Sequence, residues 1–162
     1  MRRLERETRF DCDPDRFWAM FFDREFNRQL YLDALGFLEI EVLEQTETSR
    51  RMRAVPQVEL PGPLVRLFGA RFGYEEQGEL DRKKGEWRWR AIPNTLTDKI
   101  DTTGVMRIAP DSGGVRRTDE LTIEARVFAV GGLIEATSEK QLRALWAKEA
   151  PFTQRWLARS IR

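Results

Sequence analysis

The sequence predicts an α+β fold: a seven-stranded antiparallel sheet with helices gathered on one face, closed by a long C-terminal helix. Three observations predict it. From Phe37 onward apolar and polar residues alternate in segment after segment, each ended by a turn signal. Two short, very apolar stretches with helix-start chemistry interrupt this pattern near the N-terminus. Residues 131–157 form one amphipathic segment whose Leu133, Ile134, Leu142, Leu145, Trp146, Phe152, Trp156 and Leu157 recur at spacings of three and four, a stripe wide enough to cover a curved sheet.

The elements follow in order. Residues 3–11 read as a strand, with Leu4, Thr8 and Phe10 on one face. Asp13 is a favoured N-cap and Pro14 a favoured first helical residue, so a helix starts there and carries Phe17, Trp18, Met20, Phe21 and Phe22. A second helix begins near Arg24, carries Phe26, Leu30 and Tyr31, and ends at Gly36. Leu38, Ile40 and Val42 then alternate with Glu39 and Glu41 as a half-buried strand. Further strands fall at about 49–58, 71–81, 86–93, 98–109 and 115–128, separated by Pro61-Gly62-Pro63, Lys83-Lys84-Gly85, Pro93-Asn94 and Asp111-Ser112-Gly113-Gly114. Short turns make neighbouring strands antiparallel. Gly131-Gly132 lets the chain turn sharply from the last strand into the helix, and Pro151 is expected to kink that helix near 147–150 or restart it at Phe152.

Composition narrows the function classes. At 162 residues, with no linker-like stretch, the chain reads as a single domain over 1–162. No apolar run reaches the roughly 20 residues that span a bilayer, and the basic N-terminus has no apolar core behind it, so cytoplasmic residence is the expectation. Net charge is +1 with the two signs interleaved, which gives a polyanion no field to follow; nucleic acid is not an expected partner. The basic clusters at Arg50, Arg51 and Arg53 and at Arg116-Arg117 read as solvated strand faces paired with Glu and Asp. There is no histidine and only one cysteine, Cys12, which removes histidine-based triads, zinc fingers and nearly every transition-metal site. No metal and no cofactor are expected. Cys12 precedes a helix start, where amides could acidify a thiol, but a small residue packed between strand and helix is the favoured reading.

Arg9-Phe10 leading into Asp13-Pro14-Asp15-Arg16-Phe17-Trp18, the Pro61-Gly62-Pro63 turn, Val130-Gly131-Gly132-Leu133-Ile134-Glu135 and Glu149-Ala150-Pro151-Phe152-Thr153-Gln154-Arg155-Trp156-Leu157 together resemble the bacterial family known as domain of unknown function 2505. The order β-α-α-β6-α is similar to that of the START-like (SRPBCC, helix-grip) superfamily, which includes birch-pollen-allergen-type proteins, polyketide cyclases and steroidogenic lipid-transfer domains. That resemblance implies a bent sheet gripping the last helix, with an apolar cavity between them. Fold alone does not fix function.

Strand parity names the residues that would face such a cavity: Met52 and Ala54, Phe72 and Tyr74, Trp87 and Trp89, Ile100, Thr102 and Met106, Leu121, Ile123 and Ala125, with Leu142, Leu145 and Trp146 from the helix. Gly78 and Gly104 read as two fillers removed from the same space. Leu64, Val65, Leu67 and Phe68 crowd the segment 61–70, either as a lid over the mouth or as a fixed plug. Glu76 shares parity with Tyr74 and Phe72 and is expected to point inward, as are Arg6, Glu120 and Glu149, and buried charge demands a partner. The leading expectation is a non-catalytic carrier or sensor of a hydrophobic small molecule, such as a lipid, sterol-like or polyketide-like compound, with transient membrane contact through the 61–70 lid. The alternative is a cyclase or dehydratase using Glu76 and Tyr74 as catalytic groups, and a third reading is a protein-interaction module with a solid interior. Oligomeric state is left open.

Overall fold

A computed structural model describes residues 1–69 and 71–159. Its seven strands form one antiparallel sheet in the order β1-β7-β6-β5-β4-β3-β2. They are β1 (Arg2–Phe10), β2 (Glu39–Gln45), β3 (Ser49–Val55), β4 (Tyr74–Asp81), β5 (Glu86–Pro93), β6 (Ile100–Asp111) and β7 (Gly114–Ala125). Strands β2 to β7 form a meander, while β1 crosses to the far edge and pairs with β7 from Arg2↔Ile123 to Phe10↔Val115. The expected strand count and sense hold, and the ends shift for local reasons. β3 stops at Val55 because Pro56 has no N–H to offer the ladder. β2 continues past Val42 to Gln45 through a register shift that leaves Leu43 exposed.

Between β1 and β2 lie α1 (Pro14–Phe22) and α2 (Arg24–Arg28), followed by a π-helical turn at Gln29–Ala34. The Asp13 carboxylate accepts from Arg16 N at 2.8 Å. Asp23 repeats that chemistry, accepting from Phe26 N at 2.7 Å. The single second helix predicted from Arg24 is therefore α2 plus the π turn, closed by Gly36 at φ 74°. Segment 61–70 contains a true helix, α3 (Gly62–Phe68), with Pro63 in its first turn.

The last helix, α4 (Gly131–Arg159), runs unbroken through Pro151, so the predicted restart at Phe152 does not occur. It leaves β7 by a close approach that only glycine permits, since a Cβ on Gly131 would stand 2.4 Å from the Ala125 carbonyl oxygen. α4 packs chiefly on β7, β1 and the π turn, toward one side of the sheet. Its predicted stripe needs one correction: Leu133 is exposed, while Glu135 and Thr153 are buried. Leu157, Phe152 and Trp156 close the end near Phe26 and Leu30, Leu142 and Trp146 lie over Leu4, Leu121 and Ile123, and Ile134 joins Leu64, Phe68, Ile100 and Ala125.

The two interior glycines correct another expectation. A Cβ on Gly78 would stand 2.1 Å from the Trp87 indole, and one on Gly104 would stand 2.5 Å from that of Trp89. These glycines seat cross-strand tryptophans instead of emptying space for a ligand.

Candidate functional site

Because α4 lies toward β1 and β7, it does not fill the concave face over the rest of the sheet. A cavity of about 380 Å³ remains there, bounded by the sheet, α4, the π turn and α3. Of the residues named from sequence, Phe68, Phe72, Tyr74, Glu76, Trp87, Trp89, Thr102, Met106, Leu142, Leu145 and Trp146 line it. Met52 and Ile123 are not among the lining residues. Both have the inward parity expected, but both are fully buried, Ile123 beside Leu4 and Leu121. In the lid, Leu64 and Phe68 line the cavity and Leu67 packs against their cluster, whereas Val65 points outward, 46% exposed. Gln57, Ala144 and Lys148 are exposed lining residues and mark the mouth, between the chain leading into α3 and one edge of α4.

The cavity is polar toward the C-terminal half of α4. Arg6 on β1 donates to Asp119 at 2.8 Å and to Glu149 at 2.6 Å. Arg117 on β7 donates to Asp119 at 2.9 Å and 3.2 Å and stands 2.6 Å from Glu149. Two arginines and two carboxylates thus close a quartet joining β1, β7 and α4. Burial pushes the Asp119 carboxyl up, but Arg117 and Arg6 outweigh it and hold the group below its usual range. Burial also works against the Arg117 charge, yet Asp119 and Glu149 keep it firmly protonated. Arg6 and Glu149 thus face inward as expected, whereas Glu120 pairs with Arg3 and Arg107.

Arg117 and Arg50 are not the solvated residues the sequence predicted. Arg51 and Arg53 do pair on the surface with Glu44, Glu75 and Glu41. Arg50, by contrast, is 2% exposed, donates to the Phe21 carbonyl at 2.7 Å and lies over the Phe21 ring at 4.5 Å. Its guanidinium stands 3.8 Å from Glu76, and its Nε has no partner. Burial pushes the Glu76 carboxyl above its usual range, with Arg50 opposing and the nearby Glu149 reinforcing the rise. Burial pushes the Tyr31 and Tyr74 phenols far up as well, so both stay protonated.

Three hydroxyls complete this end. Neither Tyr31 nor Tyr74 hydrogen-bonds another described residue, and both line the cavity. Thr153 Oγ1, in the wall one turn beyond Glu149, is buried without a partner. Sequence reasoning missed Tyr31, Arg117, Asp119 and Thr153. The two β7 residues share the parity of Leu121 and Ile123 and were findable; Tyr31 depends on the π turn, which apolar spacing does not reveal.

Chemically, this wall offers hydrogen bonds and a carboxyl inclined to hold its proton, set in an aromatic and aliphatic enclosure. Cys12 adds nothing to it: burial raises its thiol against the pull of Arg16, the opposite of activation. Among the described residues no group of three or more Cys, Asp and Glu could hold a metal ion.

Comparison with known proteins agrees with this architecture. The family model described as protein of unknown function (DUF2505) matches residues 5–157. An uncharacterized protein of Mycobacterium tuberculosis is 36% identical over 59 residues, 36% of this chain, and the match spans only 34% of that relative's length. Among solved structures, a Thermus thermophilus protein has TM-score 0.71 at 18% identity, covering 98% of this chain and 99% of its own. The Zhui aromatase/cyclase of Streptomyces sp. R1128 has TM-score 0.68 at 13% identity, covering 99% and 96%. A START superfamily protein of Mycobacterium smegmatis has TM-score 0.63 at 8% identity, covering 96% and 98%. At these identities the structural likeness carries the fold, a START-like helix-grip, and nothing further.

Proposed function

The chain belongs to the DUF2505 family, and we propose that it binds a hydrophobic small molecule, a lipid, sterol-like or polyketide-like compound, in the cavity between the sheet and α4, for transport or sensing. One observation carries this reading: an apolar enclosure of about 380 Å³ under α4, walled by Phe68, Phe72, Trp87, Trp89, Met106 and Trp146. Binding needs no catalytic group. Removing a few hundred Å² of apolar ligand surface from water at ~25 cal/mol per Å² gives a gross gain near ten kcal/mol before ordering costs, enough for micromolar affinity. Release would follow movement of α3, which contributes Leu64 and Phe68 to the wall. Exposed Val65 on α3 and Phe128, 98% exposed in the turn before α4, support transient contact with a membrane during exchange. Among the described residues no helix is long and apolar enough to cross a membrane. Cytoplasmic residence belongs to this reading.

The test is native mass spectrometry of the purified protein with lipid extract, together with titration of a fluorescent sterol. A bound species is expected, with Phe68→Ala weakening sterol affinity about tenfold or more through lost wall contact. If the wild type retains no lipid and ignores the sterol, the carrier reading fails.

A second reading is favoured by the raised Glu76 carboxyl beside Tyr74, and by likeness to a protein described as an aromatase/cyclase. In that case Glu76 is the general base or acid of a cyclase or dehydratase. It requires Glu76→Gln to abolish turnover of a polyketide-like substrate while leaving its binding intact.

A further inference from the structure

The cavity has two unlike ends. Leu64, Phe68, Ile100 and Ile134 close it under the start of α4 with apolar groups alone. The other end carries the hydroxyls of Tyr31 and Tyr74 and the Glu76 carboxyl, with the Thr153 Oγ1 buried behind the wall. These belong to one wall: Tyr74 and Glu76 stand two residues apart on one face of β4, and the π turn that carries Tyr31 packs against α4. An apolar group seated against the Tyr31 and Tyr74 hydroxyls would leave them without partners, which disfavours an apolar occupant there.

No cation at this end is free to receive a ligand's negative charge. Arg6 and Arg117 are both committed to Asp119 and Glu149. Arg50 is not among the lining residues and is engaged with the Phe21 carbonyl and Glu76. Arg117, the one arginine among the described lining residues, already holds two carboxylates, so an added carboxylate would meet no free cation there. Among the described lining residues only Lys148, out at the mouth, is an exposed cation.

Resting on the binding function proposed above, we propose that this end is a subsite for one uncharged oxygen function, a hydroxyl or carbonyl, at the inner tip of an otherwise apolar ligand, bonded by Tyr31, Tyr74 and Glu76. The site takes alcohols, sterol-like alcohols or ketones head-first and discriminates against free acids.

The experiment titrates the fluorescence of the cavity tryptophans with three probes of one chain length: a primary long-chain alcohol, the corresponding fatty acid and the alkane. The alcohol binds at least about tenfold more tightly than either competitor. Tyr74→Phe, Tyr31→Phe and Glu76→Gln, each near-isosteric and checked for folding by circular dichroism, weaken the alcohol about five- to tenfold and move the alkane less than about twofold. The inference is overturned if the acid binds as well as the alcohol, or if the variants weaken all probes alike. It is also overturned by acid binding that depends on Lys148, tested by Lys148→Ala, and ignores Tyr31→Phe, since that places the head at the mouth. Equal binding of all three probes removes the subsite and leaves the binding function standing, whereas binding of none removes both.

Discussion

Gly78 and Gly104 show how single residues shape the cavity wall, because each lies under an indole from the neighbouring strand. Gly78→Ala would drive a methyl into Trp87, which is itself buried and cannot yield cheaply. It is expected to cost about 1–3 kcal/mol, read as a lowered urea midpoint at unchanged slope. Glu76 predicts a pH signature. Its folded-state carboxyl titrates above the ordinary 4.5, so the folded protein retains a proton that the unfolded chain has released. Stability therefore falls as pH rises from about 4.5 toward the folded value and levels off beyond it. Asp119 acts oppositely: its lowered carboxyl supplies stability that is lost as pH falls through the folded value, below 3.8. Urea unfolding across pH should show wild type losing stability relative to Glu76→Gln as pH rises through the first window; a constant difference refutes the assignment. Much of this was legible in strand parity, which placed Glu76 and Arg6 inward. The same rule places Arg50 with Met52 and Ala54, and Arg117 and Asp119 with Leu121, but charge argued for water at those positions. What overrode charge was partnership, a quartet around Arg117 and aromatic faces around Arg50, and no linear sequence displays partners from distant elements.

Among the elements, α4 decides whether a cavity exists. Pro151 lies inside it without ending it, at an exposed position, and deprives the Ala147 carbonyl of its usual donor. Pro151→Ala is expected to restore that bond and raise unfolding free energy by up to about 3 kcal/mol, measured by urea denaturation. No gain would mean that the surrounding helix already compensates. The strands were readable because a period of two matches side chains alternating across a pleated strand, and Gly and Pro mark where each strand stops. The π turn was not, since its hydrogen bonds reach one residue further than those of an α-helix while the apolar spacing stays nearly the same. It matters here because this turn brings Tyr31 to the cavity. α3 lay hidden within a segment rich in Gly and Pro; Pro63 falls in the first turn, where proline is tolerated.

For the molecule as a whole, a filled cavity must register as stability. A ligand at a hundred times its dissociation constant adds about 2.7 kcal/mol, which for a chain of this size raises the melting temperature by roughly 5–10 °C. Thermal scans with and without a long-chain alcohol check this, and Phe68→Ala should blunt the shift. Sheet order carries a different consequence. Arg2 lies opposite Ile123, so β1 is synthesised first and finds its neighbour almost last. During translation that strand must wait on the ribosome with both edges bare until β7 has emerged, and loop closure over so long a separation makes refolding a slow event, on the scale of milliseconds to seconds. The charges along β1, Arg2, Arg3, Glu5, Arg6, Glu7 and Arg9, keep the waiting strand from pairing with a stranger.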